Sequence, residues 1–327
     1  RPADRFPADM SATSGFDNSA NSLFLQPVLM ERYLNAADYI VDTALPLESR
    51  SPQSDAAWER LLRTGIAELN GRQENAEGQS SGVSTYEAAL FQFAQRAYRR
   101  PLTGDERDRF THAFRNRVKG GSSEKAALRD AIRVVLISPN FLIRSETAGE
   151  NDTSRLVSDW ELASRISYFL WASMPDDELF RVAREGRIRD PRELTRQIDR
   201  MLNDPRSESL GRLFASQWLG FVELSRVQRD QIENPWATDT LVDSMHEESS
   251  RLFHSLITAD QPIDRLIDAD YTFINEELAS HYGIDGVAGT KLRRVSLNES
   301  PRRGILGHGS ILAITSFPRR ASPVLRG

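Results

Sequence analysis

Capping-box pairs, with a Ser, Thr or Asp three residues ahead of a Glu at the start of a helical run, recur along this chain as Ser84 with Glu87, Thr103 with Glu106, Ser158 with Glu161 and Asp190 with Glu193. In such a pair the first side chain accepts from a free amide of a helix's first turn, while the Glu reaches back to the cap residue. A capping residue followed directly by Pro, the other common way to open a helix, occurs at Asp190-Pro191, Asp204-Pro205 and Asn234-Pro235. Apolar residues recur at helical spacing. Leu29, Tyr33, Leu34, Ala37 and Val41 mark a helix from Pro27 to about Leu45. Trp58, Leu61, Leu62, Ile66 and Leu69 mark a second over Asp55–Leu69, and a third, from Pro235 to about Ile257, carries Leu241, Met245, Leu252 and Leu256. Only Lys291–Leu297 alternates as a short strand does, and Ile132–Ile137 fits a buried helix as well as a strand. The pattern predicts an all-α, multi-helix fold with little or no sheet.

The length of 327 residues allows one large core or two smaller ones. A polar stretch rich in Gly and Ser, residues 70–84, reads as a flexible surface loop, and a second polar break runs from Glu146 to Ser154. We therefore expect two packed helical subdomains, residues 1–150 and 151–327, the second ending in a Gly/Arg/Ser-rich segment. The Asp-Pro-Arg triplets at Asp190 and Asp204 share cap chemistry and nothing more, so they are no repeat.

Hydrophobic content of 39% with 27% charged residues is that of an ordinary globular protein. No apolar run approaches the roughly 18 to 20 residues that cross a bilayer, so no membrane span is expected. No signal peptide is visible and the first residue is Arg1, which suggests a processed or excised piece. Cysteine is absent, which removes disulfides, thiol nucleophiles and covalent haem attachment within these residues. A net charge of −5 argues against general nucleic-acid binding. Only three basic residues are Lys (Lys119, Lys125 and Lys291); Arg can grip phosphate or carboxylate through two bonds, but the reading we favour for the Arg excess is a GC-rich coding bias. Charge is unevenly placed: Asp230–Asp285 holds 13 acidic residues against two Arg, and Lys291–Arg326 holds eight basic residues against Glu299. The basic tail either packs on the acidic region or offers an anion or partner surface.

Chemistry has several candidate seats. Glu247 and Glu248 lie beside the apolar face of the third helix; one reading is a buried carboxylate with a raised pKa suited to general acid work, the other an ion pair with an Arg from a neighbouring segment. His246-Glu247 begins like a zinc-protease helix, but Ser250 stands where the second His is needed, and His254 is two turns away. No metal site is expected. Gly307-His308-Gly309-Ser310 resembles an oxyanion loop with Ser310 as nucleophile, although the apolar run after it reads better as a tight helix entry. Asp270, Tyr271 and Asn275 precede a short helix that Gly283 ends, with His281 and Tyr282 on its last turn. Asp270 and His281 join the two glutamates as candidate catalytic residues. Tyr271 and Asn275, with Thr315, Ser316, Arg319, Arg320, Ser322 and Arg326 around two prolines, are the candidate ligand or partner residues, since hydroxyls and guanidiniums on a fixed loop suit carboxylate, sulfate or phosphate.

Four stretches carry a family resemblance. They are F-P-A-D-M-S-A-T-S-G-F-D-N from Phe6 with P-V-L-M-E-R-Y-L-N-A-A from Pro27, then F-A-Q-R-A-Y-R-R-P-L-T-G-D-E from Phe93, then L-A-S-R-I-S-Y-F-L-W-A-S-M-P-D-D-E-L from Leu162, and finally the Asp268–Ile284 and Arg302–Gly327 blocks. They resemble the planctomycete-type family of large secreted proteins built from successive domains of unknown function, often preceded by a c-type cytochrome domain. The resemblance implies a periplasmic or extracellular protein and a cytochrome or other redox partner, with any c-type haem in a neighbouring domain and no cofactor in this chain. It supplies no agreed catalytic set. The expectation is a non-catalytic binding or scaffold module of an exported, cytochrome-linked protein. The alternative is an extracellular enzyme, redox-linked or hydrolytic, acting at the Asp270–His281 region on a polysaccharide or other glycan.

Overall fold

The computed structural model describes residues 27–73, 83–144, 156–226, 237–297, 300–317 and 320–321. The protein is mainly α-helical, and its described strands form two small antiparallel pairs. It divides into two compact units, one running to Glu161 and the other starting at Leu162, inside the first turn of a helix.

The first unit holds α1 (Pro27–Ala44), α2 (Pro52–Gln73), α3 (Thr85–Tyr98), α4 (Gly104–Lys119), α5 (Glu124–Ile137) and the single turn α6 (Pro139–Leu142). Its core is built on the inward stripe of α3, with Leu90, Phe91 and Ala94 against Trp58, Phe114, Leu128 and Ile132. Of the two apolar stripes read from the sequence, Val41 and Trp58 are buried, while Leu34 and Ile66 are exposed. Thr103 and Glu106 form a complete capping box, and Arg100 clamps the same carboxylate through two bonds of 2.8 Å. That clamp, opposed by partial desolvation, lowers the Glu106 pKa to about 2. The Ile132–Ile137 run, which fits helix or strand in sequence, is the end of helix α5, which stops at Ile137 because Ser138 adopts extended backbone ahead of Pro139 and caps the next turn.

The second unit begins in α7 (Asp159–Trp171) and continues through α8 (Asp177–Arg184) and α9 (Pro191–Leu202). Asp204-Pro205 opens a 3-10 turn, Pro205–Glu208, rather than an α-helix, and a π-helical stretch, Leu210–Ala215, leads into α10 (Ser216–Trp218). A 3-10 segment, Phe221–Arg226, follows. The central element is α11 (Asp239–Thr258), capped by Thr238, whose hydroxyl accepts from Leu241 N. It starts four residues later than the Asn234-Pro235 signal suggests; that dipeptide lies outside the described residues. Beyond it lie α12 (Arg265–Asp268), β1 (Tyr271–Ile274), α13 (Glu276–Tyr282), β2 (Arg293–Ser296), α14 (Gly309–Ile314), β3 (Ser316–Phe317) and β4 (Arg320–Ala321). β1 pairs with β2 in the register Tyr271 to Ser296, so the Lys291–Leu297 alternation is a strand.

Alternate sides of α11 meet different surroundings. Leu241 and Met245 pack on Ile274, Leu278 and Ala279 in the unit's apolar core. On the other side the π-helical stretch approaches so closely that a Cβ on Gly211 would lie 2.1 Å from the Ser250 carbonyl oxygen. No Cβ tolerates that distance, which makes glycine obligatory at 211. Among the described residues, no helix is long and apolar enough to cross a membrane.

Candidate functional site

The two adjacent glutamates of α11 realise both readings of the sequence, one each. Glu247 faces outward and pairs with Arg212 at 2.9 Å and Arg251 at 2.8 Å, both on Oε1. Glu248, one position on and about 100° round the helix, is fully buried. The Thr272 hydroxyl donates to its Oε1 at 2.5 Å and the Tyr282 hydroxyl to its Oε2 at 2.6 Å. Burial outweighs those bonds and pushes its pKa up to about 7.

A buried polar network grows from that carboxylate. His308, 2% exposed, places Nε2 3.7 Å from Glu248 Oε1 and 3.4 Å from the Thr272 hydroxyl. The Thr272 proton is directed to Glu248, so the imidazole sits between the Thr272–Glu248 pair at Nε2 and Ser249 at Nδ1. Ser249 Oγ lies 2.9 Å from Nδ1 and 2.6 Å from Ser310 Oγ. Ser310, Ser249, His308 and the Thr272–Glu248 pair thus form one continuous chain of buried polar contacts. Desolvation and nearby Arg302 hold the His308 pKa down at about 3, so the ring is neutral. The Gly309 amide donates to the Tyr282 hydroxyl at 2.7 Å, and the Arg302 guanidinium stacks 4.0 Å from the Tyr282 ring centroid. Burial and the neighbouring Glu248 raise the Tyr282 pKa, keeping the phenol protonated. The network ties α11, β1, α13 and α14 together.

The remaining sequence candidates are dispersed. Asp270 is exposed and pairs with Arg265 at 2.8 Å. His281 is exposed, its ring centroid 5.6 Å from that of Tyr282. Tyr271 is buried, with its hydroxyl 3.1 Å from Ser255 and Arg294 stacked 3.8 Å from its ring. Asn275 caps α13 through a 3.0 Å bond from Leu278 N and donates to Ser244 Oγ, while Gly283 closes that helix with φ of 68°. Thr315 and Ser316 direct their hydroxyls to the Ile311 and Leu312 carbonyls. Arg319, Ser322 and Arg326 lie outside the described residues, and of Arg320 only the backbone, paired with Phe317, is described. Arg293 and Arg303 of the basic segment bond backbone carbonyls rather than carboxylates.

The histidines of α11 also stand apart: His246 packs edge-on against Phe221, and His254 Nε2 lies 2.8 Å from Ser207 Oγ. No group of three or more metal-ligating side chains occurs among the described residues. A polar cleft of about 180 Å³ opens on the outward face of α11, lined by Glu208, Arg212, Glu247, Arg251, His254 and Phe273 among others. No sequence motif joins Arg212, Arg251 and His254 as a set. Their joint signal is a polar stripe at Glu247, Arg251, His254 and Thr258, spaced three to four residues apart.

The fold and these features define a mainly α-helical chain whose second unit is organised around a buried carboxylate–imidazole–hydroxyl network. Three family models match it in succession, each described as a protein of unknown function: DUF1587 over residues 1–46, DUF1595 over 85–146 and DUF1592 over 157–284. Glu248, Thr272 and Tyr282 fall within the third match, whereas His308 and Ser310 lie beyond all three. No curated protein and no solved structure matches the chain.

Proposed function

We propose that the chain is a non-catalytic binding or scaffold module of an exported, cytochrome-c-linked multi-domain protein. One observation carries the non-catalytic part. Glu248, the carboxylate whose pKa of about 7 would suit a general acid, is inaccessible to solvent and has both oxygens bonded by hydroxyls of its own unit. A catalytic acid must reach its substrate within hydrogen-bond distance, and this one is enclosed. Location in the periplasm or outside the cell, and the cytochrome neighbour, rest on the family resemblance alone.

A second reading draws on the chain of contacts Ser310, Ser249, His308, Glu248. Hydroxyl, imidazole and carboxylate follow one another as they do in serine hydrolases, which keeps an extracellular hydrolase acting on a polysaccharide in view. The full burial of Ser249 and Ser310 weighs against it.

Glu248→Gln separates the readings. The module predicts an altered melting temperature and no turnover of glycan or redox substrates to be lost; turnover abolished by this substitution at unchanged stability would establish the enzyme. For the cytochrome link, the native protein should show a haem Soret band and a mass well above 36.9 kDa. A haem-free protein of about that mass would end the link.

A further inference from the structure

We infer that the cleft on the outward face of α11 is a carbohydrate-binding site that takes one neutral sugar ring. The inference rests on the binding-module reading and names the ligand class of that module.

The cleft exists because Gly211 lets the π-helical stretch lie directly against Ser250. This brings Arg212 and Glu208 alongside the polar stripe of α11, and Phe273 of β1 closes the space. Short π-helical segments recur at functional sites for this reason: the extra residue per turn redirects neighbouring side chains.

Charge selects the ligand class. Arg212 and Arg251 face Glu208 and Glu247, so two positive groups meet two negative ones. Desolvation lowers the His254 pKa and leaves that ring neutral at pH 7. An anion at either guanidinium would also meet the Glu247 and Glu208 carboxylates, and a cation at Glu247 would also meet Arg212 and Arg251. A neutral ligand leaves the internal pairs intact.

The lining then offers donors and acceptors in mixture. Arg251 bonds Glu247 through Nε alone, so neither Nη has a partner among the described residues. Glu247 accepts both its bonds on Oε1, leaving Oε2 open. His254 meets Ser207 Oγ through Nε2 at 2.8 Å, which leaves Nδ1 without a bond among the described residues. Adjacent sugar hydroxyls, each at once donor and acceptor, match a guanidinium edge beside a carboxylate oxygen and an imidazole nitrogen. Phe273 supplies an apolar wall for the C–H face of the ring.

The test is an NMR titration of the whole chain with the methyl glycosides of glucose, galactose, mannose and xylose and with N-acetylglucosamine; sulfate and acetate are the anion probes. Saturable shifts with at least one neutral sugar are expected, weakened about tenfold or more in Arg251→Ala at unchanged melting temperature, as loss of a charged hydrogen-bond donor implies. Phe273→Leu should weaken the same sugar while keeping an apolar side chain in the strand. Binding of sulfate or acetate alone, binding unaffected by both substitutions, or no binding of any probe would each overturn the inference. None of these three results touches the Glu248→Gln comparison, so the module reading stands or falls separately.

Discussion

The Tyr282 hydroxyl donates to Glu248 Oε2 at 2.6 Å while accepting from the Gly309 amide at 2.7 Å, so one phenol on α13 joins α11 to α14. Removing it strands a buried carboxylate oxygen and a backbone N–H together. Tyr282→Phe should destabilise the second unit by about 2 to 4 kcal/mol, because two buried groups lose their partner at once. Urea denaturation followed by Trp fluorescence checks this; a loss below half a kcal/mol would mean that water replaces the hydroxyl.

Glu248 makes stability depend on pH in a definite direction. Its pKa is raised from 4.5 to about 7 by burial. Between those values the folded protein keeps a proton that the unfolded chain has lost, so this group's contribution falls as pH rises and is at its lowest above pH 7. His308 works oppositely: its pKa is lowered from 6.5 to about 3, and its contribution falls as pH drops through that window. Glu248→Gln removes the first term and keeps the second. The melting temperature of the variant relative to the parent should therefore climb steadily between pH 5 and pH 8. A constant difference would show that Glu248 titrates normally.

Gly211→Ala tests the contact of the π-helical stretch with α11. A Cβ would sit 2.1 Å from the Ser250 oxygen and 2.8 Å from its carbonyl carbon, both backbone atoms that cannot rotate away. The two elements must separate, at a cost on the order of 2 to 3 kcal/mol. Differential scanning calorimetry should show the transition of the second unit shifted down while that of the first is unmoved.

In the first unit, Thr103→Ala removes one half of the capping box at α4 and should cost about 1 kcal/mol. Arg100→Ala should cost more at pH 7 than at pH 3. The Arg100 bonds are the main cause of the Glu106 pKa of about 2, and stability from a depressed carboxylate is lost as pH falls from 4.5 through that value. An equal effect at both pH values would place the contribution of Arg100 in packing.

Helices were legible because their signals are local. Thr103 with Glu106 and Ser158 with Glu161 are reciprocal boxes, as their spacing implies. At Ser84 and Asp190 the cap bonds form, but Glu87 turns to Arg115 and Glu193 to Arg187, Arg196 and Gln197, partners brought in by packing. Glu248 was legible as a carboxylate beside an apolar face. Its partners were not, since Thr272, Tyr282 and His308 reach it from 24 to 60 residues away through contacts that no spacing encodes. The strand Tyr271–Ile274 escaped for a similar reason: the buried pattern of four residues shows no alternation, and only pairing with Arg293–Ser296 defines it.

The burial of the network's hydroxyls gives this protein a reporter that needs no label. A hydroxyl proton in contact with water exchanges too fast to yield its own resonance, but those of Ser249, Ser310 and Thr272 are sealed at exposures of 0 to 1%. They should appear as discrete downfield signals. Each will fade when its own stretch of the second unit admits water, so the sequence in which they vanish on warming will chart how that unit loosens before it melts.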